Sequence, residues 1–310
     1  MHKITMRLRL GCVLLLLSSF AVADIVDDVR EALAQDNFSY AQITLKNYRD
    51  QHGADPAYLE ALSWTARGAL AARDYNQAYS LARQTQLLSA QQLKKRKLDA
   101  EPHLPMALGA AYEVESEVLS ARSEKPQAIL LLKSALQTYG NTSIAPRLQK
   151  NLNLLTFVGK PAPALSATEH LGKATVGLAQ LKGSPTLLFF WAHWCVDCKS
   201  EAPILTQLRS ELEPKGLKFV APTQRYGYAA RGETASPQAE FSYIDRVWQQ
   251  HYSGLQGVPV PVSKQNFNTY GASTTPTLVL VDRAGRIAMY HPGAMPYTEL
   301  RAAIDKILAK

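Results

Sequence analysis

The chain has 310 residues, 46 % of them hydrophobic, with three cysteines and a formal charge of +8. That length exceeds one average domain, and a modest positive charge spread along it is not the basic footprint of a nucleic-acid-binding protein. The densest basic run, Lys94-Lys95-Arg96-Lys97, is followed by Asp99 and Glu101 and reads as a solvated helix end, so no nucleic-acid partner is expected.

Residues 1–23 carry Lys3, Arg7 and Arg9, then an apolar stretch, then Ala21-Val22-Ala23 before Asp24. This is the layout of a secretory signal peptide cleaved near Ala23, and the apolar part is short for a membrane span. The expectation is a periplasmic or otherwise exported protein. An uncleaved anchor and a lipid-bearing Cys12 are the less favoured alternatives. Cleavage would lower the charge to +5 and leave Cys195 and Cys198 as the only cysteines.

Residues 24–155 are rich in Ala, Leu and Gln with helical periodicity. Three segments share a short turn, an aromatic residue or proline, and a following alanine: Asp36-Asn37-Phe38 with Ala41, Arg73-Asp74-Tyr75 with Ala78, and Glu124-Lys125-Pro126 with Ala128. They resemble degenerate tetratricopeptide hairpins, with Gly68 where two helices would approach closely, although no unit carries the full signature. The third interval needs an insertion around residues 90–105. A plain helical bundle is the alternative. Either way an all-α domain is expected, serving as a protein-docking surface or as a spacer or dimer support.

Residues 156–310 shift to Pro, Gly and β-branched residues, beginning with the Pro-rich Gly159-Lys160-Pro161-Ala162-Pro163-Ala164-Leu165. Leu187-Leu188-Phe189-Phe190 reads as a buried central strand. Ile204, Leu205, Leu208 and Leu212 mark one face of a helix. Between them lies Trp191-Ala192-His193-Trp194-Cys195-Val196-Asp197-Cys198. A strand therefore delivers a Cys-x-x-Cys pair to the first turn of a helix, where free amides and the dipole favour a thiolate. Such a pair can close and reopen a disulfide. A structural clip across two residues would gain little from loop closure, and no second Cys/His cluster completes a zinc site. No metal or cofactor is expected.

From the Pro-rich entry onward the chain resembles exported thioredoxin-like reductases of the TlpA/ResA type. The resemblance rests on the entry segment, Leu178-Ala179-Gln180-Leu181-Lys182-Gly183, the Trp-x-x-Trp-Cys-x-x-Cys motif, Thr274-Thr275-Pro276-Thr277 before Leu278–Asp282, the turn at Gly285, and a closing helix with Leu300, Ile304, Ile307 and Leu308. It implies an α/β thioredoxin-like fold, a central mixed sheet with flanking helices, preceded by the all-α domain. It also implies a redox-active Cys195–Cys198 disulfide in which Cys195, the more exposed thiol, attacks and Cys198 resolves. Pro276 would follow a cis bond and align substrate backbone. Pro203 would kink the active-site helix. Glu201 would assist proton transfer, against the alternative of an ordinary first-turn acid. Trp194, His193, Asp197 and Thr275 would line or tune the substrate groove.

Two departures qualify this. The position six before Cys195 holds Phe189 rather than a buried acid, which leaves Glu201 as the candidate proton acceptor. Asp197 opposes ionisation of Cys195, whereas His193 could favour it. In residues 224–262, a helix capped by Ser236 and Pro237 carries Phe241, Ile244, Val247 and Trp248. Tyr226, Tyr228 and Trp248 either shape a substrate groove or pack that helix onto the sheet. The expected function is reduction of protein disulfides through a mixed disulfide, fed by an upstream thiol donor that could be membrane-bound. A thiol peroxidase would want Thr or Ser where Ala192 stands, and a Cu(I)-handling module would want more Met or His than His193.

Overall fold

The computed structural model of the chain describes residues 24–166, 169–172 and 183–309. The expected signal peptide, Cys12 and the segment Leu178–Lys182 lie outside the described residues.

The N-terminal half is helical: α1 (Ile25–Ala34), α2 (Phe38–His52), α3 (Pro56–Ala71), α4 (Tyr75–Leu93), α5 (His103–Ala121), α6 (Lys125–Tyr139) and α7 (Ala145–Thr156). Asp24, Asn37, Asp55 and Asp74 cap the first four through their side chains, accepting amides the helix leaves unpaired. The three sequence turns join α1 to α2, α3 to α4 and α5 to α6, with one geometry throughout. Asp36, Arg73 and Ser123 each adopt a left-handed backbone, at φ 55, 60 and 65°. The next amide returns to a carbonyl five residues back, Asn37 to Ala32, Asp74 to Ala69 and Glu124 to Leu119, at 2.8, 2.9 and 2.8 Å. This pattern satisfies carbonyls at the helix end. It also lays the second helix of each pair against the first, which is why Ala41, Ala78 and Ala128 are fully buried. At Gly68 a Cβ would stand 2.8 Å from Leu33 Cδ2, so the glycine sets the approach of α3 to α1. The exposed Lys94–Lys97 run follows the C-terminus of α4, where positive charge complements the dipole.

The C-terminal half contains β1 (His170–Leu171), β2 (Thr186–Phe190), α8 (Val196–Leu212), β3 (Lys218–Val220), α9 (Pro237–His251), β4 (Val260–Pro261), α10 (Lys264–Tyr270), β5 (Thr277–Val281), β6 (Ile287–Pro292) and α11 (Tyr297–Leu308). One sheet runs β3-β2-β5-β6, with β2 parallel to β3 and antiparallel to β5, and β5 antiparallel to β6. All five residues of β2 are buried, because alternate side chains enter two cores. Leu187 and Phe189 pack with Leu205, Leu208, Ile244, Leu300 and Ile304. Leu188 and Phe190 pack with Phe267, Tyr270 and Phe157 on the other side. A mixed sheet with helices on both faces is the thioredoxin-like fold. Strand β3 ends at Val220. Beyond it Ala221 and Thr223 donate to Pro259 and Pro261 instead, at 2.8 and 2.9 Å, so the chain leaves the main sheet for the β4 segment.

Helix α7 packs against the sheet half of the molecule. Buried Asn153 donates its amide to the Tyr270 carbonyl at 2.9 Å. Phe157 stands edge-on to Tyr270 and Tyr290, with centroids 5.7 and 5.4 Å away. Gly271, at φ 61°, lies where a Cβ would be 2.4 Å from the Lys150 nitrogen. Asn153→Ala should therefore cost about 1–3 kcal/mol by leaving a buried carbonyl unpaired, read as a lowered denaturant midpoint at unchanged slope.

Candidate active site

Strand β2 ends at Phe190, and Trp191 anchors the chain that follows. Its indole N–H donates to the Ala221 carbonyl at 3.1 Å, and the Trp191 carbonyl accepts the Thr223 hydroxyl at 2.9 Å. A turn closed by the Cys195 amide on the Ala192 carbonyl, at 3.1 Å, then starts α8. Cys195 is the cap of this helix: its backbone is extended, and its Sγ accepts the Cys198 amide at 3.0 Å. Cys195 and Cys198 form a disulfide. The sequence-based expectation of an exposed Cys195 needs correction. Cys195 is 3 % exposed and Cys198 0 %, because both join the core with Ala202 and Leu205 of α8. The exposed neighbours are Trp194 at 46 % and Val196 at 71 %. Asp197 is exposed in the first turn, where its charge favours the helix dipole.

Glu201 follows Cys198 by three residues on α8, hence on the same helix face. It is 2 % exposed. Burial pushes its carboxyl up to about 7, against which the Met295 amide, 3.3 Å away, favours the charged form. Phe189, on the buried strand, contributes no acid. Pro203 lies inside α8, where it supplies no amide to the helix. The Thr275–Pro276 bond is cis. The Pro276 carbonyl accepts the Gly293 amide at 2.7 Å, so one turn, Gly293 to Met295, touches both the proline loop and Glu201. The sequence reading missed this turn; the glycine shortly after β6 was the only local signal. Thr275 buries its hydroxyl without a partner among the described residues.

His193 is 1 % exposed, and its ring stands edge-on to Tyr226, Tyr228 and Tyr243 at 5.6, 5.4 and 5.5 Å. Burial pushes its pKa down, opposed by the Glu240 carboxylate and the nearby Tyr228 backbone. That backbone approaches without reaching hydrogen-bond geometry, and neither ring nitrogen has a partner among the described residues. Burial thus works against the charged imidazole that would offset Asp197. Tyr226 also meets Trp194 edge-on at 5.5 Å. Trp248 belongs to the packing instead: it is buried against Trp191 and Tyr252, at 5.1 and 4.8 Å. The sequence reading also missed Tyr243 and Glu240, although both sit on the helix it placed there.

Residues 157–308 match the Redoxin family model. Over 152 residues the chain is 28 % identical to the thiol-disulfide oxidoreductase ResA of Bacillus thuringiensis (strain Al Hakam), covering 48 % of this chain and 78 % of that protein. Over 154 residues it is 27 % identical to the thiol:disulfide interchange protein DsbE of Xylella fastidiosa (strain Temecula1), covering 49 % and 70 %. Among solved structures, a thiol:disulfide interchange protein of the thioredoxin family from Chlorobium tepidum TLS aligns at 18 % identity and TM-score 0.39, over 48 % of this chain and 96 % of that one. Sheet order, cysteine pair and family match define the class of the C-terminal half: a thiol-disulfide oxidoreductase of thioredoxin-like fold. Within that class, residues 157–308 are a redoxin domain with ResA and DsbE among its relatives.

Proposed function

We propose that the chain is an exported reductase of protein disulfides, with its two halves divided near residue 155. The observation that carries the reading is Cys195 Sγ at the start of α8, accepting the Cys198 amide, with a buried carboxyl of raised pKa on the same helix face. In the reduced protein that amide and the helix end stabilise a Cys195 thiolate. The thiolate attacks one sulfur of a substrate disulfide and forms a mixed disulfide, and the other substrate sulfur leaves as a thiol after taking a proton. Cys198 then gives its proton to Glu201 and attacks Cys195. This releases the second substrate thiol and closes the Cys195–Cys198 disulfide. Two electrons have passed to the substrate, and an upstream dithiol must restore the pair. Thr275 and Pro276, which share the cis bond, would align substrate backbone beside the cysteines. Trp194 would present an apolar face to it, while Asp197 moderates the thiolate.

Export rests on the charged, apolar and small-residue order of residues 1–23. The helical half, with three hairpins of one turn geometry, is read as a tetratricopeptide-like docking domain. The test is turnover of a disulfide-bonded protein with a dithiol donor. Wild type should reduce it, and Cys195→Ser should fall to background, a loss of at least about 10³-fold. Equal rates for the two would sink the proposal.

A further inference from the structure

Residues 224–240 form an arch beside the redox pair, pinned at several points. The Arg225 guanidinium makes a two-pronged pair with Glu169, one prong at 2.6 Å. It also donates to the Pro237 carbonyl at 3.0 Å and lies over the Phe241 ring at 5.4 Å. Glu240, itself buried, accepts the amides of Tyr226 and Gly227, the second at 3.0 Å. Gly227 takes φ 88°, a conformation that suits glycine, and turns the chain between the two tyrosines. Tyr228 pairs with Thr234 to close the arch. One carboxylate thus fixes the backbone that aims Tyr226 at Trp194 and both tyrosines at His193.

A glutamate buried to hold two amides is an expensive way to secure a surface loop, and it makes sense where side-chain positions matter. The arch places a half-buried aromatic ring, Tyr226, against exposed Trp194, the residue just before Cys195. A substrate cysteine that reaches Cys195 must lay its neighbouring residues across this wall. The wall offers the faces and edges of Trp194, Tyr226 and Tyr228. We infer that the Tyr226–Tyr228 arch selects substrates carrying an aromatic or aliphatic residue next to the reacting cysteine, with Glu240 as the positioning residue. This rests on the proposed exchange reaction at Cys195 and adds the chemical class of sequence it accepts. Because the arch is held in place before substrate arrives, little ordering is left for binding to supply.

The test uses two disulfide-bonded peptides of equal charge, one with Phe and one with Ser beside the cysteine. Wild type should favour the Phe peptide by about ten-fold in kcat/KM, the discrimination one apolar side chain supplies. Glu240→Ala, checked for folding by thermal melt, should erase that preference by raising KM for the Phe peptide with little change in kcat. Glu240→Gln, which keeps an acceptor oxygen, should restore part of it. If Glu240→Ala does not fold, the Gln variant and Tyr228→Ala carry the test. Equal turnover of both peptides by wild type, or an undiminished preference in folded Glu240→Ala and Tyr228→Ala, would overturn the inference and leave the exchange reaction standing. Failure of wild type to exchange with either peptide would overturn both.

Discussion

Replacing Cys198 with Ser should fill the protein with mixed disulfides, and replacing Cys195 should leave it almost free of them. Cys195 lies at the start of α8, where the Cys198 amide and the helix end favour its thiolate. Cys198 lies in the first turn, with no measurable exposure. An incoming disulfide therefore meets Cys195, and only Cys198 is placed to break the bond that results. With Cys198→Ser the hydroxyl cannot displace a sulfur, so covalent adducts at Cys195 should build up with a half-life longer than wild type by about 10³-fold or more. Non-reducing gels and mass spectrometry read the result directly. Adducts forming mainly at Cys198 in the Cys195→Ser variant would reverse the roles assigned here.

Glu201→Gln should keep the fold and still form the mixed disulfide, while slowing its resolution by about ten- to a thousand-fold, up to the usual range of general base catalysis. The carboxyl must be ionised to accept the Cys198 proton. With a pKa pushed up to about 7 by burial, wild-type resolution should rise as pH passes upward through that value. The Gln variant should lose this inflection. Stability moves the opposite way. A carboxyl whose pKa is raised on folding costs nothing below its ordinary value near 4.5 and weakens the fold progressively as pH climbs through about 7. Glu201→Gln should therefore gain stability over wild type above neutral pH and show little difference near pH 4, in urea melts at the two pH values. Unaltered resolution between about pH 5 and 9 would return Glu201 to the status of a first-turn acid.

What the sequence made legible was local. A continuous apolar run marked β2, because a strand buried on both faces has no polar alternate positions. The cysteine spacing marked the helix start, and Asp36, Arg73 and the Glu124 segment marked three turns that the structure closes in one way. What escaped depends on residues far apart in the chain. Beyond β3 the chain pairs with Pro259 and Pro261, and α7 docks on Tyr270 through Asn153. Glu201 meets Met295 across 94 positions, and Arg225 meets Glu169 across 56. None of these partners leaves a periodic trace. His193 shows the same limit from the other side: a histidine near a thiolate suggests a charge, and only its three-tyrosine surround reveals the burial that opposes that charge. The docking of α7 also changes how the halves can be separated. A fragment beginning at residue 145 should keep the Asn153–Tyr270 hydrogen bond, which one beginning at 157 lacks, and be more stable by about 1–3 kcal/mol in denaturant melts.

The central claim is that Cys195 and Cys198 form a reducing dithiol, and a redox titration of the pair against glutathione and dithiol buffers tests it most directly. A single two-electron transition is expected, at a potential nearer that of thioredoxin, about −270 mV, than that of a strong oxidant at about −120 mV. A pair that titrated near the oxidant, or that failed to cycle as one two-electron couple, would contradict it.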